Sequence, residues 1–210
     1  RDLTPGRTVL DLLSALRDRF DGPQPDVRFR ISSLEPMDCT PALVRLVAGS
    51  RCFADHFHLP LQHASDRVLR AMRRPYSLTY YAALAADIRA QLPHASIGTD
   101  VIVGFPGETA EDFAVLSGYL ERSPLTHVHV FPYSDRPGTA ASRMGHRPDG
   151  AVVKGWGARV RDIGSGLNRR FLDRQLGQVF RALTLDDGTL AVTGNYLKVR
   201  IPPGLPRNRW

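Results

Sequence analysis

Four short polar stretches carry the residue types that could do chemistry together: Ser32 to Pro36, Gln62 to Asp66, Gly104 to Thr109 and Tyr133 to Thr139. Each follows a strand-like run, and parallel α/β architectures bind ligands at the C-terminal ends of their strands. In the third stretch, Gly104, Pro106 and Gly107 let the backbone pass close to a ligand. Thr109 then opens a helix whose free N–H groups favour an anionic group, and Glu108 adds an acceptor for an amine or hydroxyl. The same glycines also suit an ordinary strand-to-helix turn, and their spacing is neither a dinucleotide fingerprint nor a Walker loop. Asp100 lies inside an apolar run, where an unpaired charge is expensive, so it needs a partner or a cavity and is expected to line the site.

The histidines invite a metal reading. His56 and His58 are two residues apart on a strand-like run, as are His127 and His129, and a third ligand would complete a zinc site. No carboxylate or cysteine cluster stands beside either pair in the sequence. They are therefore expected to be packed or hydrogen-bonded strand histidines, with no metal centre. Cys39 and Cys52 are too few for a disulfide framework, match no metal-ligand spacing and are expected to be buried thiols. No nucleophile elbow, Ser-His-Asp order or paired-carboxylate motif is present.

Periodicity supplies the elements that would hold these residues. Thr8 with Asp11 resembles a capping box ahead of Val9, Leu12, Leu13, Leu16 and Phe20 at helical spacing, and Asp21-Gly22-Pro23 stops that helix. Val27, Phe29 and Ile31 alternate as a strand, and Thr40-Pro41 starts a short helix that Gly49 ends. Phe57, Leu59 and Leu61 alternate again, then Ser77 opens a helix carrying Leu84, Ile88 and Leu92. Ile97 to Val103 reads as a strand covered on both faces, and Thr109 with Asp112 caps the next helix before Val128 and Val130 mark a fourth strand. Strand starts spaced by 30 to 40 residues, each gap holding a helix, indicate βα units on a parallel sheet, either half a barrel or an open sheet. The leading helix implies at least one strand upstream of Arg1.

Residues 132–150 read as a loop, followed by a helical stripe of Val160, Ile163, Leu167 and Phe171 flanked by Arg159, Arg161, Arg169, Arg170 and Arg174. Gly164 and Gly166 each weaken that helix by about 1 kcal/mol relative to alanine. Short strands with a hairpin turn at Asp187-Gly188 complete the chain. The formal charge of +7 resides in this last part: residues 1–150 hold 17 basic and 17 acidic residues, residues 151–210 hold 11 and 4. A basic tail on a neutral body points to a polyanionic partner. With 42% hydrophobic and 23% charged residues the chain is not disordered, and it has no membrane-length apolar run. A cytoplasmic monomer is expected.

Taken together, RISSLEP (30–36), HLPLQHASDRVLRAMRRPY (58–76), TDVIVGFPGETAEDF (99–113) and HVFPYSDRPGTAA (129–141) resemble successive segments of the radical S-adenosylmethionine methylthiotransferase family. The nearest subgroup is the MtaB type, which acts on threonylcarbamoyladenosine beside the tRNA anticodon. LGQVFRALTL (176–185) and VTGNYLKVRI (192–201) resemble that family's TRAM domain. The resemblance implies an α/β fold: a partial radical-SAM (βα) barrel over 1–142, a linker and basic helix over 143–175, and a small all-β TRAM/OB-like domain over 176–210. It also implies S-adenosylmethionine as cofactor, with Ser33, Glu35, Gln62, Ser65, Asp100, Gly104, Gly107, Glu108, Tyr133 and Arg136 lining the cofactor and substrate cavity. A tRNA partner would meet Arg159, Arg169, Arg170, Arg174, Asn195, Tyr196 and Lys198.

Departures from the family pattern set the remaining expectations. The cluster-binding CxxxCxxC is absent, and Cys39 and Cys52 cannot replace three thiolates at that spacing. A [4Fe-4S] cluster therefore belongs to an intact parent, and the 210 residues alone are expected to be inactive. His63-Ala64 stands where the family has Ser-Gly, and the piece up to Trp210 is short for a closed five-strand barrel. A ribosomal-protein methylthiotransferase, an RNA-binding module without chemistry and a phosphosugar barrel enzyme are the alternatives.

Overall fold

A computed structural model describes residues 6–210; the first five residues of the expected 1–142 unit, and any strand before Arg1, lie outside the described residues. Helix α1 (Val9–Phe20) starts at a complete capping box in which Thr8 and Asp11 satisfy each other's backbone N–H groups. α2 (Pro41–Ala48) is capped by the Thr40 hydroxyl with proline in its first turn, and Gly49 closes it. α4 (Leu78–Gln91) is capped by Ser77, and α5 (Ala110–Arg122) by a second full capping box between Thr109 and Asp112.

Strands β1 (His56–His58), β2 (Ser96–Val103) and β3 (His127–Pro132) form a parallel sheet in that spatial order. α3 (Asp66–Ala71) and α4 link the first pair, and α5 links the second. Parallel neighbours require such crossovers, which makes these consecutive βα units. The alternation expected over 27–31 yields less than a strand. Phe29 makes a single bridge to Phe53, with its N–H on the Cys52 carbonyl (2.7 Å) and its carbonyl taking the Ala54 N–H (2.8 Å). The ladder breaks there because the His56 N–H turns back to the Ala54 carbonyl (2.7 Å) instead of crossing to the neighbouring segment.

Period-2 alternation decides which side of β2 is core. Ile97, Thr99, Val101 and Val103 are buried under the helices, in a core with Phe57, Tyr81, Ile88, Leu116 and Leu120. Coverage of the opposite face is partial, in contrast to the expectation from the apolar run: Asp100 and Ile102 are half-buried. Helix α6 (Gly150–Asp173) packs on β3 and α5. Gly164 is buried on the packed side, where an added Cβ would lie 3.6 Å from Val128, so its low helix propensity coincides with close contact to the sheet.

The chain ends in an antiparallel sheet of β4 (Ala182–Leu185), β5 (Leu190–Thr193) and β6 (Lys198–Arg200). Gly188, at φ +82°, makes its hairpin turn where a Cβ would run into the Leu205 carbonyl oxygen. This sheet docks on the first extended segment through Trp210, whose ring lies 4.9 Å from the Arg28 guanidinium and 4.3 Å from that of Arg181. The indole N–H donates to the Asp26 carbonyl (3.1 Å), and Arg181 donates to that of Pro25 (2.8 Å). Among the described residues no helix is long and apolar enough to cross a membrane.

Candidate functional site

The open face of the parallel sheet gathers the chemistry. Parallel register places His58 beside Gly98, Gly98 beside His127 and Asp100 beside His129, so side chains from three strands meet on one surface. The Asp100 carboxylate lies 3.1 Å from His58 Nε2 through one oxygen and 3.2 Å from His129 Nδ1 through the other. This supplies the partner that its position required. His58 and His129 are thereby hydrogen-bonded strand histidines, one of the two arrangements expected for them, but gathered on a single carboxylate. The signal for that gathering is the repeated His-x-His on the two strands that flank β2, which only register could turn into a cluster.

Below this cluster His56 and His127 are held neutral. Burial, then the charges of Arg30, His127 and His58, push His56 down to about 4; burial, then His129 and His58, does the same to His127. With Arg30, Ser32, Asn168, Asn195 and Tyr196, the two rings line a cavity of about 340 Å³ that also reaches His58 and His129. Tyr196 belongs to the C-terminal unit, yet stacks under Arg30 (4.4 Å) and beside His56 (5.3 Å).

Residues at the strand ends form a rim, and most of their polar atoms are committed to it. Gln62, at φ +65°, extends the β1–β2 pairing by donating its N–H to the Asp100 carbonyl and accepting that of Ile102, both at 2.8 Å. Ser65 is buried and donates its hydroxyl to Asp112 (2.6 Å). Glu108 is buried too: one oxygen accepts the Gly104 (2.6 Å) and Phe105 (3.0 Å) N–H groups, and the other lies 3.2 Å from His63 Nε2. The acceptor expected to face a ligand is thus turned into its own turn, with Gly104 (φ +81°) and Gly107 (φ +83°) supplying the left-handed backbone that closes it. The first amides of α5 are likewise met by the Asp112 capping box.

Ser33 and Glu35 are exposed on the first loop, with Glu35 3.3 Å from Arg74. Tyr133 donates to Asp135 (3.0 Å) and edges a second cavity, of about 480 Å³, between β3 and α6, which Gly104, Arg147, Lys154 and Arg161 also line. Arg136 is exposed beyond it.

The expected RNA-facing residues separate into two groups. Arg169, Arg174, Tyr196 and Lys198 are exposed. Arg159 is exposed but holds Glu121 (2.5 Å), and Arg170 donates to the Glu121 carbonyl (3.1 Å). Asn195 does not face solvent. At 1% exposure its amide donates to the His94 carbonyl (2.9 Å) and Gln175 Oε1 (3.0 Å), because it pins the C-terminal sheet to the α/β part.

The comparisons with known proteins give this geometry a family. The model of the radical SAM superfamily matches residues 4–119. The chain belongs to that superfamily. It is 35% identical over 171 residues to the threonylcarbamoyladenosine tRNA methylthiotransferase MtaB of Aquifex aeolicus, covering 81% of this chain and 42% of the relative. It is 39% identical over 194 residues to the ribosomal protein uS12 methylthiotransferase RimO of Saccharopolyspora erythraea, covering 92% of this chain and 39% of the relative. The chain thus spans about two fifths of the length of these curated relatives. The radical SAM enzyme coproporphyrinogen III oxidase (HemN) of Escherichia coli shares the fold, with a TM-score of 0.51 at 16% identity over 90% of this chain and 44% of that one.

A radical SAM superfamily member implies a [4Fe-4S] cluster held by three thiolates, and the residues present do not fit it. Cys39 and Cys52 are both fully buried. Burial, assisted by the charge of Asp87, pushes the Cys39 thiol up to about 12, and Cys52 Sγ rests 3.3 Å from Ser50 Oγ.

Proposed function

We propose that this chain is the later part of the barrel, together with the RNA-contacting end, of an MtaB-type methylthiotransferase that modifies threonylcarbamoyladenosine in tRNA. The observation that carries the reading is the similarity to MtaB over 81% of the chain. In this reading S-adenosylmethionine and the modified base lie across the open face of the sheet. Asp100 and Gln62 would be nearest, Ser33, Glu35, Tyr133 and Arg136 would stand on the rim, and Gly104, Gly107, Glu108 and Ser65 would shape the turns behind them. The antiparallel sheet over 176–210 would act as the TRAM-like unit. The segments 1–142, 143–175 and 176–210 would serve as barrel, connecting basic helix and RNA contact.

The excess of basic over acidic residues after residue 150, with Arg169, Arg174 and Lys198 exposed, supports an RNA partner. The chain is expected to bind tRNA with a steep salt dependence, log affinity falling with log salt by about 0.7 to 0.9 per phosphate neutralised. Arg169→Glu with Arg174→Glu should flatten that slope. Fluorescence anisotropy with labelled tRNA measures it, and salt-insensitive binding, or none, would sink the tRNA reading. The higher identity to RimO over more of the chain favours a second reading, a ribosomal-protein methylthiotransferase, which needs no affinity for free tRNA.

By itself the chain is expected not to cleave S-adenosylmethionine under strong reductant, since two buried thiols cannot hold the cluster. Formation of 5′-deoxyadenosine by the purified 210 residues, followed by chromatography, would refute this.

A further inference from the structure

We propose that His58 Nε2, the Asp100 carboxylate and His129 Nδ1 form a binding site for a divalent first-row transition metal of the zinc type. The three donor atoms lie within 4.8 Å of one another. They project from β1, β2 and β3, adjacent strands of one hydrogen-bonded sheet, so the backbone holds all three in register before any ion arrives. Imidazole and carboxylate are the donors that zinc and its neighbours accept, and a two-histidine, one-carboxylate set leaves coordination positions open. Such a site is distinct from an iron–sulfur centre, which takes thiolates. The inference does not depend on the methylthiotransferase reading.

The surroundings exceed what a hydrogen-bonded carboxylate requires. A third imidazole, His127, has its ring 5.6 Å from that of His129 and 6.1 Å from that of His58, and its Nδ1 is fixed at 3.0 Å from Thr126 Oγ1. That bond leaves Nε2 available over the strand. Space for the ring comes from Gly98, where any Cβ would collide with it. A fourth imidazole, His56, is 5% exposed on the same cavity, and its Nδ1 has no hydrogen-bond partner among the described residues. An orphaned buried nitrogen is costly unless something occupies the space it faces. The ion would sit at the mouth of that cavity, with Asp100 offsetting its charge and an open position toward His127 for water or a ligand.

The test uses the 210-residue chain stripped with chelator and titrated with Co²⁺, reading the visible ligand-field absorption of the bound ion and then its displacement by Zn²⁺. One equivalent is expected to bind. Asp100→Asn and His129→Ala should each weaken binding by at least the roughly 10- to 100-fold that loss of a supporting group costs a metal site. His146→Ala, at an exposed histidine outside the cluster, should leave it unchanged. Because the His129 side chain is 60% exposed, its removal keeps the test open should Asp100→Asn disturb folding, and thermal unfolding of the stripped variants checks that. No Co²⁺ uptake, or uptake that neither variant weakens, would overturn the proposal. Neither result bears on tRNA binding, which is read separately.

Discussion

Replacing Glu108 with alanine is expected to destabilise the chain by about 2–6 kcal/mol, because it leaves two buried backbone donors unsatisfied at about 1–3 kcal/mol each. The Gly104 and Phe105 amides close on the Glu108 carboxyl group, at 2.6 and 3.0 Å, and it also meets His63 at 3.2 Å. Alanine would strand these donors in a site from which water is excluded. The turn at Gly104 and Gly107 would then lose the side chain that folds it back on itself, keeping the Gly107 bonds to Arg67 and to the His146 carbonyl. Glu108→Gln keeps one acceptor oxygen and should fall between wild type and alanine. Urea unfolding at neutral pH measures both, and an alanine variant within about 1 kcal/mol of wild type, the net worth of one ordinary hydrogen bond, would show that the turn does not depend on this side chain. The same result would revive the reading in which Glu108 faces a ligand.

What could be read from the sequence divides along the range of the interactions. Thr8 with Asp11, Thr40 with Pro41, Ser77, and Thr109 with Asp112 all start helices where expected, because a cap is settled within four residues. The parallel sheet followed from strand spacing. Ser65, Glu108 and Asn195 are polar residues near strand ends or a turn, and from sequence each resembles a group waiting for a ligand. Ser65 and Asn195 meet Asp112 and His94, 47 and 101 residues away, and Glu108, besides the amides of its own turn, meets His63 45 residues away; nothing local announces these distant partners. The cluster around Asp100 was hidden for the related reason that register decides which histidines share a face. His58 reaches the carboxylate across one strand pair and His129 across the other. A strand such as 27–31 was overcalled because alternation reports a buried face and an exposed face, and an extended edge segment has both.

Asp112 should make the rim acid-sensitive. Burial works to raise its carboxyl group, but hydrogen bonds from Arg67, Ser65 and Thr109 outweigh that and hold it well below the usual carboxylate range. A carboxyl group depressed in the folded state binds its proton more readily when unfolded. Its contribution is therefore fully present above the ordinary value of 3.8 and is lost as pH falls from there toward the folded value. Asp112→Asn is expected to cost about 2 kcal/mol at neutral pH, as losing hydrogen bonds to a charged group does, with the share of the 54% exposed Arg67 side chain screened by solvent. The gap between wild type and variant should then narrow as the pH falls through and below that carboxylate value. Taking the difference cancels the depressed carboxyl groups Asp11, Asp21, Asp135 and Asp187, which titrate in both proteins, while Glu111, also depressed, feels the Asp112 charge and cancels only in part. Urea unfolding across the acid range reads it, and a gap that stays constant with pH would show that asparagine perturbs packing rather than removing a depressed carboxylate. Arg67 also donates to the Gly107 carbonyl (2.7 Å), so Asp112 ties α3 to α5 and, through Arg67, to the turn that Glu108 closes. Acid should accordingly loosen the strand-end rim before the core under β2, and amide exchange at Gly104 to Thr109 is where that order would register.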